Sequence, residues 1–323
     1  MELRHLQALV AVAEHGSFSA AADFLGTVQS NISAHVARLE REVGATLVDR
    51  SAGRLTPEGE VVASRAYRVL SELDALVADV AALREEVTGT VRAGMIGTTA
   101  RWLVPMVLRD ISERHPKLHL IVSEGTTTTL EPLLSSGRID LALLTSPVPG
   151  RDLSFEPLFE ETVVLVVPAD DDVLAGRSSL SLGELPAHVM LAPAPGTSFR
   201  SELEAALKPA SVRLRPRAEV DGVRLIASLT FEGYGPALLP ASAVPPQLRP
   251  RFRLLRVEGL PPRTVGLCLR TRGLPSAPAR AVLSAMRRTV ASPDGLPEGI
   301  RALEPESVTG AEGSLRTLGV PNG

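Results

Sequence analysis

Short polar side chains cluster at the start of one amphipathic segment near the N-terminus. They are Gln29, Ser30, Asn31, Ser33 and Arg38. Apolar residues recur through the same segment at helical spacing, as Ile32, Val36, Leu39 and Val43. A helix of this period buries the apolar stripe and leaves the polar residues outside. Because amide and guanidinium groups pair with base edges and small neighbours permit entry into the major groove, the segment predicts a helix that reads DNA.

A second set of polar residues, mostly hydroxyls, falls where apolar strand-like runs give way to helical patterns. The candidates are Thr98, Thr99, Arg101, Thr127, Thr145, Thr197, Ser198 and Arg200. In α/β folds ligands bind beyond the carboxyl ends of strands, where helix N-termini offer free N–H groups that favour anions. Any single hydroxyl here is equally explained as a helix cap. The convergence of four such segments favours a site for a small carboxylate or other anion.

Patterns typical of enzymes and metal centres are missing from the sequence. There is no GxSxG elbow, no GxxxxGK[ST] loop, no CxxC and no HExxH. His115 and His119 have a ligand-like spacing, but Pro116 lies between them. The single cysteine, Cys268, excludes an intrachain disulfide and a thiolate zinc site. We therefore expect no enzyme activity, no metal and no cofactor.

Three helices and a β-hairpin are predicted for residues 1–57, the expected DNA-binding domain. Glycines at positions 16, 26 and 44 end the helical patterns, and Thr27 is placed to cap the third helix. The second and third helices, joined by a tight turn, have the form of a helix-turn-helix. A strand at 47–48, a turn at 51–54 and Leu55 then form a wing, whose Arg50 and Arg54 are placed to reach phosphates.

Residues 58–88 are predicted to form a long linker helix. Apolar residues recur at steps of three and four, the heptad pattern of a coiled coil. The predicted dimerisation residues are Val62, Val69, Leu73, Leu76, Val80 and Leu83. An internal core helix is the alternative, but charged residues flank a single apolar seam. A homodimer would present two reading helices to two half-sites of double-stranded DNA.

Residues 91–292 are predicted to form a two-lobe α/β effector domain. Strand-like runs alternate with helical ones twice over, which is typical of parallel sheets with right-handed crossovers. Lobe 1 is expected to comprise about 91–163 and 265–292, and lobe 2 about 164–264, so the chain crosses between them twice. The segment 293–323 holds 6 Gly and 4 Pro with few apolar residues, and we predict that this tail is disordered.

Charge and hydropathy limit the classes of function. The chain has 323 residues and a formal net charge of -3, yet residues 1–90 hold 8 Lys and Arg against 13 Asp and Glu. DNA binding must therefore rest on a few placed arginines and hydroxyls rather than on a general positive field. No run approaches the roughly 20 apolar residues of a membrane span, and the charged start MELRHLQALV is unlike a signal peptide. We expect a cytoplasmic protein.

Several runs of the sequence resemble the LysR-type transcriptional regulators. The runs are SFSAAADFLG, VQSNISAHVARLEREVGATLVDR, LTPEG, HPKLHLIVSEG, SGRIDLALL, PLFEETVVLVVP and GYGPALLP. The resemblance implies a winged helix-turn-helix and a periplasmic-binding-protein-like (type 2, Rossmann-like) effector domain. It also implies a regulator that binds dyad-symmetric operator DNA as a dimer or a dimer of dimers, with an effector between the lobes. By position, the family's DNA contacts fall on Gln29, Ser30, Ser33, Arg50 and Arg54.

The sequence also departs from the family pattern. Val48 stands where the family usually has Phe, Ala34 where Arg is frequent, and only four residues separate Arg50 from Leu55. These departures predict a short wing and modest affinity for each half-site. The alternative function is a small-molecule-binding protein with a degenerate DNA-binding domain, which would tolerate bulky or acidic residues at 29–34; none is present.

Overall fold

Three helices at the N-terminus pack around one apolar core. The computed structural model describes residues 1–83, 87–148, 150, 152–292 and 296–304. The helices are α1 (Leu3–His15), α2 (Phe18–Phe24) and α3 (Gln29–Val43). The predicted stripe of α3 contributes Ile32, Val36 and Leu39 to the buried core. Helices α1 and α3 end as predicted, at glycines with left-handed backbone (φ 70° and 77°).

The turn between α2 and α3 differs from the prediction by one residue. Ser17 caps α2, since its hydroxyl accepts a hydrogen bond from the backbone N–H of Ala20 at 3.1 Å. The N-cap of α3, however, is Val28 rather than Thr27. The Thr27 hydroxyl instead accepts a hydrogen bond from the Asn31 side-chain amide at 2.9 Å. Gln29 is therefore the first residue of the helix.

A short wing joins this helical unit to a long linker helix. Strands β1 (Val48–Asp49) and β2 (Arg54–Leu55) pair antiparallel, and α4 (Pro57–Ala82) follows. A Cβ atom at Gly59 would lie 1.9 Å from the Leu47 carbonyl oxygen, so only glycine lets α4 start against the wing. At 26 residues, α4 is about 39 Å long. It ends earlier than the expected boundary at 88, and residues 84–86 lie outside the described part.

Lobe 1 is built on a six-stranded mixed sheet. The strand order is β14-β6-β13-β5-β3-β4. The strands are β3 (Gly89–Ile96), β4 (Leu118–Gly125), β5 (Leu141–Thr145), β6 (Leu153–Glu161), β13 (Arg263–Arg270) and β14 (Ile300–Ala302). The helices are α5 (Gly97–Arg114), α6 (Thr127–Ser136) and α9 (Ala277–Ala291). The β3-α5-β4-α6-β5 part is parallel, as predicted, whereas β13 returns antiparallel to β5 and β6.

Lobe 2 has a second six-stranded sheet, in the order β10-β9-β11-β7-β12-β8. The strands are β7 (Val163–Pro168), β8 (Ser179–Ser181), β9 (Val189–Pro193), β10 (Arg215–Val220), β11 (Ala237–Pro240) and β12 (Phe252–Glu258). Its helices are α7 (Ser198–Leu207) and α8 (Val223–Phe231). The fully apolar run of β7 is buried between two apolar clusters, one on each face of the sheet. This burial explains why β7 lacks polar alternation.

The chain crosses between the two sheets twice. One crossing is at Thr162, between β6 and β7, and the other is at 259–262, between β12 and β13. At the crossings Glu161 pairs in register with Arg263. Both side chains are buried, with exposures of 0% and 8%. A charged pair in the interior therefore marks the place where the lobes join.

Two sequence expectations are wrong in the described residues. Helix α5 begins at Gly97, so Thr98 and Thr99 belong to its first turn rather than to a preceding loop. The tail expected to be disordered from 293 onward contains strand β14, which pairs antiparallel with β6 at the edge of the lobe 1 sheet. Leu296 and Ile300 pack against the lobe 1 core, so two apolar residues and edge pairing order this part. Residues 305–323 lie outside the described part.

Candidate functional site

The exposed N-terminal end of α3 carries the residues predicted to read DNA. Gln29, Ser30 and Asn31 are exposed, Ser33 is half-buried, and Arg38 is exposed one turn further on. Apolar residues on the opposite face, from Ile32 to Leu39, hold α3 in the core, which fixes the angle at which it presents its outer face. The geometry is that of a helix-turn-helix, whose second helix enters the major groove with its N-terminal residues at the base edges.

The wing is tied to α3 by an arginine. Arg50 donates a hydrogen bond from Nη1 to the Ser33 hydroxyl at 3.0 Å and lies 3.7 Å from the Glu40 carboxylate. Its guanidinium also stands over the Phe18 ring, 5.4 Å from the centroid. The Arg54 side chain is exposed on β2 and makes no hydrogen bond or ion pair with the described residues, although its charge helps to lower the pKa of Asp49. Arg50 thus positions the wing, and the predicted phosphate contact of Arg54 stays a prediction.

A carboxylate shapes the short turn of the wing. Asp49 accepts hydrogen bonds from the Ser51 hydroxyl at 2.6 Å and from the backbone N–H groups of Ser51 and Ala52. These hydrogen bonds, led by that of the Ser51 side chain, lower the pKa of Asp49. Gly53 completes the turn with φ 65°. Only four residues separate β1 from β2, so the wing is short, as the sequence predicted.

The linker helix exposes most of its predicted heptad seam. Val62 is half-buried against the core of the three-helix unit. The later seam residues are exposed in the single chain: Val69, Leu73, Leu76, Val80 and Leu83. The exposed fractions reach 61% at Leu76 and 84% at Leu83, which is high for leucines on one helical face. Val62, at the start of the seam, therefore packs within the chain. The later seam residues are exposed and available to contact another surface.

A cavity of about 520 Å³ lies between the two lobes. The N-terminal ends of four helices open into it: α5 at Gly97 and Thr98, α6 at Thr126, Thr127 and Thr129, α7 at Thr197 and Ser198, and α8 at Gly222 and Val223. Their free N–H groups give the cavity wall a partial positive charge. The volume falls in the usual range for small-molecule sites.

A chain of hydrogen bonds crosses the cavity floor from lobe 1 to lobe 2. The hydroxyl oxygens of Thr127 and Thr145 lie 2.9 Å apart, and the Thr145 hydroxyl donates to Glu202 Oε1 at 2.8 Å. The other Glu202 oxygen is buried and has no partner among the described residues. Burial, the largest influence, raises the pKa of Glu202 against the lowering effects of Arg263 and Thr145, with Glu161 raising it further. Glu202 therefore holds a proton more readily than an ordinary carboxyl.

Both arginines of the cavity wall already face carboxylates. Arg224 of α8 donates across the cleft to Glu124 at the end of β4, an ion pair that is largely exposed. Arg263 lies 3.4 Å from Glu161 and stands over the Phe199 ring at 5.6 Å. Asp221 adds a further carboxylate to the wall. The wall thus holds more acidic than basic side chains, contrary to a simple anion receptor.

Five of the eight predicted effector residues line the cavity, and three do not. The five are Thr98, Thr127, Thr145, Thr197 and Ser198. Thr99 is fully buried behind the wall. Arg101 donates to the Ser242 carbonyl, and Arg200 is held at 2.6 Å by both Glu204 and Glu219. These three residues support the structure around the cavity and do not reach into it.

The sequence reasoning missed the charged residues of the wall and the α8 terminus. Glu124, Glu202, Arg224 and Arg263 come from elements that have the patterns of ordinary strands and amphipathic helices. Their approach depends on how the lobes face each other, which local patterns do not encode. Gly222, with φ 96°, was the available signal, because a glycine before an apolar helical run favours a helix start.

Comparison with known proteins assigns the chain to a family. The profile described as "Bacterial regulatory helix-turn-helix protein, lysR family" matches residues 3–60, and "LysR substrate binding domain" matches residues 84–291. The chain belongs to the LysR family. A relative in Streptomyces viridosporus, the "Probable hydrogen peroxide-inducible genes activator", is 34% identical over 294 residues, covering 89% of this chain and 94% of the relative.

Solved structures of LysR-family proteins share this fold. A full-length OxyR variant from Pseudomonas aeruginosa superposes with a TM-score of 0.73 at 24% identity, covering 90% of this chain and 94% of the other. An H2O2-bound OxyR mutant of Corynebacterium glutamicum gives 0.57 at 25% identity, covering 89% and 92%. The predicted fold class, a winged helix-turn-helix followed by a two-lobe effector domain, is confirmed.

Membership of the LysR family also confirms the prediction of a transcriptional regulator rather than an enzyme. In the part of the chain that the structure describes, no cluster of His, Cys, Asp or Glu is suited to hold a metal ion. Within the same residues, no helix has both the length and the apolar character to cross a bilayer. His115 is the capping residue that follows α5, and His119 lies in β4, so the two histidines do not share a helix.

Proposed function

We propose that this chain is a sequence-specific, DNA-binding transcriptional regulator controlled by a small molecule bound between its two lobes. One observation carries the proposal: a helix-turn-helix with an exposed polar end on α3 and an interlobe cavity lined by helix N-termini occur in one chain, joined by the linker helix α4. Operator DNA is the expected partner of α3, and the cytoplasm is the compartment in which it would meet that DNA.

The exposed seam of α4 supports a homodimer. Five apolar seam residues face solvent in the single chain, and a second copy of α4 would cover them. Two copies would place two α3 helices at two half-sites of a dyad-symmetric operator. Pairing of dimers into tetramers would follow through the effector domains. Because each half-site offers few cationic contacts, pairing contributes much of the affinity.

The charges of the cavity favour a neutral, oxygen-rich effector over the anion expected from the sequence. An anion would have to displace Glu124 from Arg224 or Glu161 from Arg263. A neutral molecule with carbonyl or hydroxyl oxygens needs neither, because helix N-termini and threonine hydroxyls supply donors. Because the pKa of Glu202 is raised, this carboxyl is more readily protonated, and the protonated carboxyl can donate a further hydrogen bond.

A bound molecule, rather than oxidation of a thiol, is the proposed signal. Although relatives are named for hydrogen peroxide-inducible genes, the one cysteine of this chain, Cys268, is buried in β13. Burial raises the pKa of its thiol to about 11, so the reactive thiolate is scarce. We expect peroxide to leave operator binding unchanged in the wild type. A response that is lost in Cys268→Ser would overturn this part of the proposal.

The regulator proposal is tested by selecting fragments of the source genome with the purified protein at a stated salt concentration. We expect enrichment of a dyad-symmetric site. Gln29→Ala should weaken binding to that site by about 1–3 kcal/mol if Gln29 contacts a base. Gln247→Ala, an exposed glutamine of lobe 2, is the matched control and should bind normally. Absence of enrichment with a folded dimer would favour the alternative, a small-molecule-binding protein with a degenerate DNA-binding domain.

A further inference from the structure

Helix α6 touches the effector cavity at one end and the linker helix at the other. Its ten residues span about 15 Å, from Thr127 to Ser136. Thr127, at the first turn, is buried against Thr145 in the cavity floor. At the last turn, Arg68 of α4 donates from Nη2 to the carbonyl of Ser135. One short helix thus contacts both elements that the proposed function must connect.

At the cavity end, hydrogen bonds connect α6 to lobe 2. Thr127 Oγ1 accepts a hydrogen bond from the backbone N–H of Thr145 at 3.2 Å, and Thr145 in turn donates to Glu202 of α7. A change in the position of α7 relative to lobe 1 would strain or break the Thr145–Glu202 hydrogen bond, and Thr145 is also bonded to Thr127. The N-terminus of α6 is therefore linked to lobe 2 through one intervening residue, Thr145.

The contact at the other end involves the DNA-binding unit. Beside Arg68, Tyr67 is part of the buried core of the three-helix unit. Arg138, just beyond the end of α6, stands over the Tyr67 ring at 5.0 Å. A Cβ atom at Gly137 would lie 3.0 Å from Arg68 Cγ, so the two backbones approach closely here. A displaced α6 would press on α4 where α4 packs against α1, and α1 in turn packs against the DNA-reading helix α3.

We propose that α6 transmits the state of the interlobe cavity to the DNA-binding unit through the Arg68 contact with its C-terminus. The inference rests on the proposed function and names the route by which that site regulates DNA binding. Cations stabilise the C-terminal end of a helix, and two arginines, Arg68 and Arg270, bind carbonyl groups at this end of α6. Arg270 of β13 donates to the carbonyls of Leu134 and Ile139 at 3.2 and 2.8 Å, but from within lobe 1. Arg68 reaches the same end of α6 from the linker helix.

The test combines a cavity-end variant with variants at the two arginines. Thr127→Val removes the hydroxyl that joins α6 to Thr145. Its effect is measured as the change in the dissociation constant for the operator duplex that genomic selection identifies. We expect a change of about fivefold or more, the low end of allosteric coupling. The change should vanish when Arg68→Met is also present and persist with Arg270→Met. Thr230→Val, a buried threonine of lobe 2 bonded within α8, controls for general destabilisation.

Hydrogen exchange gives a second readout that does not need DNA. Thr127→Val should speed amide exchange in α4 around residues 64–71, and Arg68→Met should abolish that response. Persistence of the Thr127→Val effect in the Arg68→Met protein, by either measurement, would overturn the proposal. So would the lack of any Thr127→Val effect in a protein that selects a specific site. Failure to select any site would count against the proposed function, while the exchange measurement would still decide on α6.

Discussion

At the scale of single residues, Glu202 is the most unusual group in the cavity. It is largely buried, one oxygen is bound by Thr145, and the other has no partner among the described residues. Burial raises its pKa above the usual 4.5, so the folded protein holds this proton more tightly than the unfolded chain does. The contribution of Glu202 to stability is therefore lost as the pH rises from 4.5 through the raised pKa.

Replacing this carboxyl should remove that pH dependence. Glu202→Gln keeps an oxygen for the Thr145 hydroxyl but does not ionise. We expect the variant to become more stable relative to the wild type as the pH rises from 4.5 through the raised pKa of Glu202, measured as the difference in free energy of unfolding. Urea unfolding across this range measures the difference. Glu204→Gln, an exposed neighbour on α7, is the control, and an equal effect there would contradict the assignment.

The sequence identified residues whose role depends on local structure. Thr127 and Thr197 were found because a hydroxyl after an apolar run marks a helix start, and both are indeed at helix starts beside the cavity. Arg200 has the same local pattern, yet Glu219 on β10 holds it away. That partner is 19 residues distant and is brought close only by pairing of β9 with β10. Residue type predicted the location but not the partners.

At the scale of elements, the pair of strands that joins the lobes depends on a buried ion pair. Glu161 ends β6 and Arg263 begins β13, and Glu161 also accepts a hydrogen bond from the backbone N–H of Ser242 at 3.0 Å. Removing Glu161 leaves the buried guanidinium of Arg263 without its ion-pair partner, with Glu202 as the remaining acidic neighbour. Such losses cost far more than the pair itself contributes.

We expect Glu161→Leu to lower the free energy of unfolding by about 3–5 kcal/mol, as measured by chemical denaturation. The double variant Glu161→Leu, Arg263→Met should recover part of that loss, because neither charge is then left alone. Glu160→Leu, at the neighbouring exposed ion pair with Arg301, serves as the comparison and should cost about 1 kcal/mol or less. A double variant no more stable than Glu161→Leu would argue against the pairing.

Elements with a strong internal period were predicted well, and elements defined by their neighbours were not. The stripe of α3 and the apolar run of β7 carry their own signal. Strand β14 carries no such signal, because it is ordered by pairing with β6. The paired residues Arg301 and Glu160 are 141 residues apart along the chain. Strand β12 likewise pairs with β7 and β8, which are distant from it along the chain. In α4 the heptad pattern continues beyond the end of the helix at Ala82, so period alone overestimated its length.

At the scale of the whole molecule, the exposed seam of α4 predicts the state of assembly. Leu76→Asp places a charge at the centre of the seam and should dissociate the dimer, as measured by sedimentation equilibrium. Operator affinity should fall by about 100-fold, because the second half-site is no longer held nearby. Val173→Asp, at an exposed valine of lobe 2, is the matched control. A dimer that survives Leu76→Asp would show that another surface holds the copies together.

The acidic balance of residues 1–90 has a consequence for how the protein searches a chromosome. Affinity for arbitrary DNA comes almost entirely from cations that replace the counterions of phosphates. With 8 basic against 13 acidic residues, this region should bind non-target DNA weakly. A smaller share of the molecules in a cell is then sequestered on the vast excess of irrelevant sequence. A low copy number would therefore suffice to occupy the operator, and occupancy would adjust quickly when that number changes.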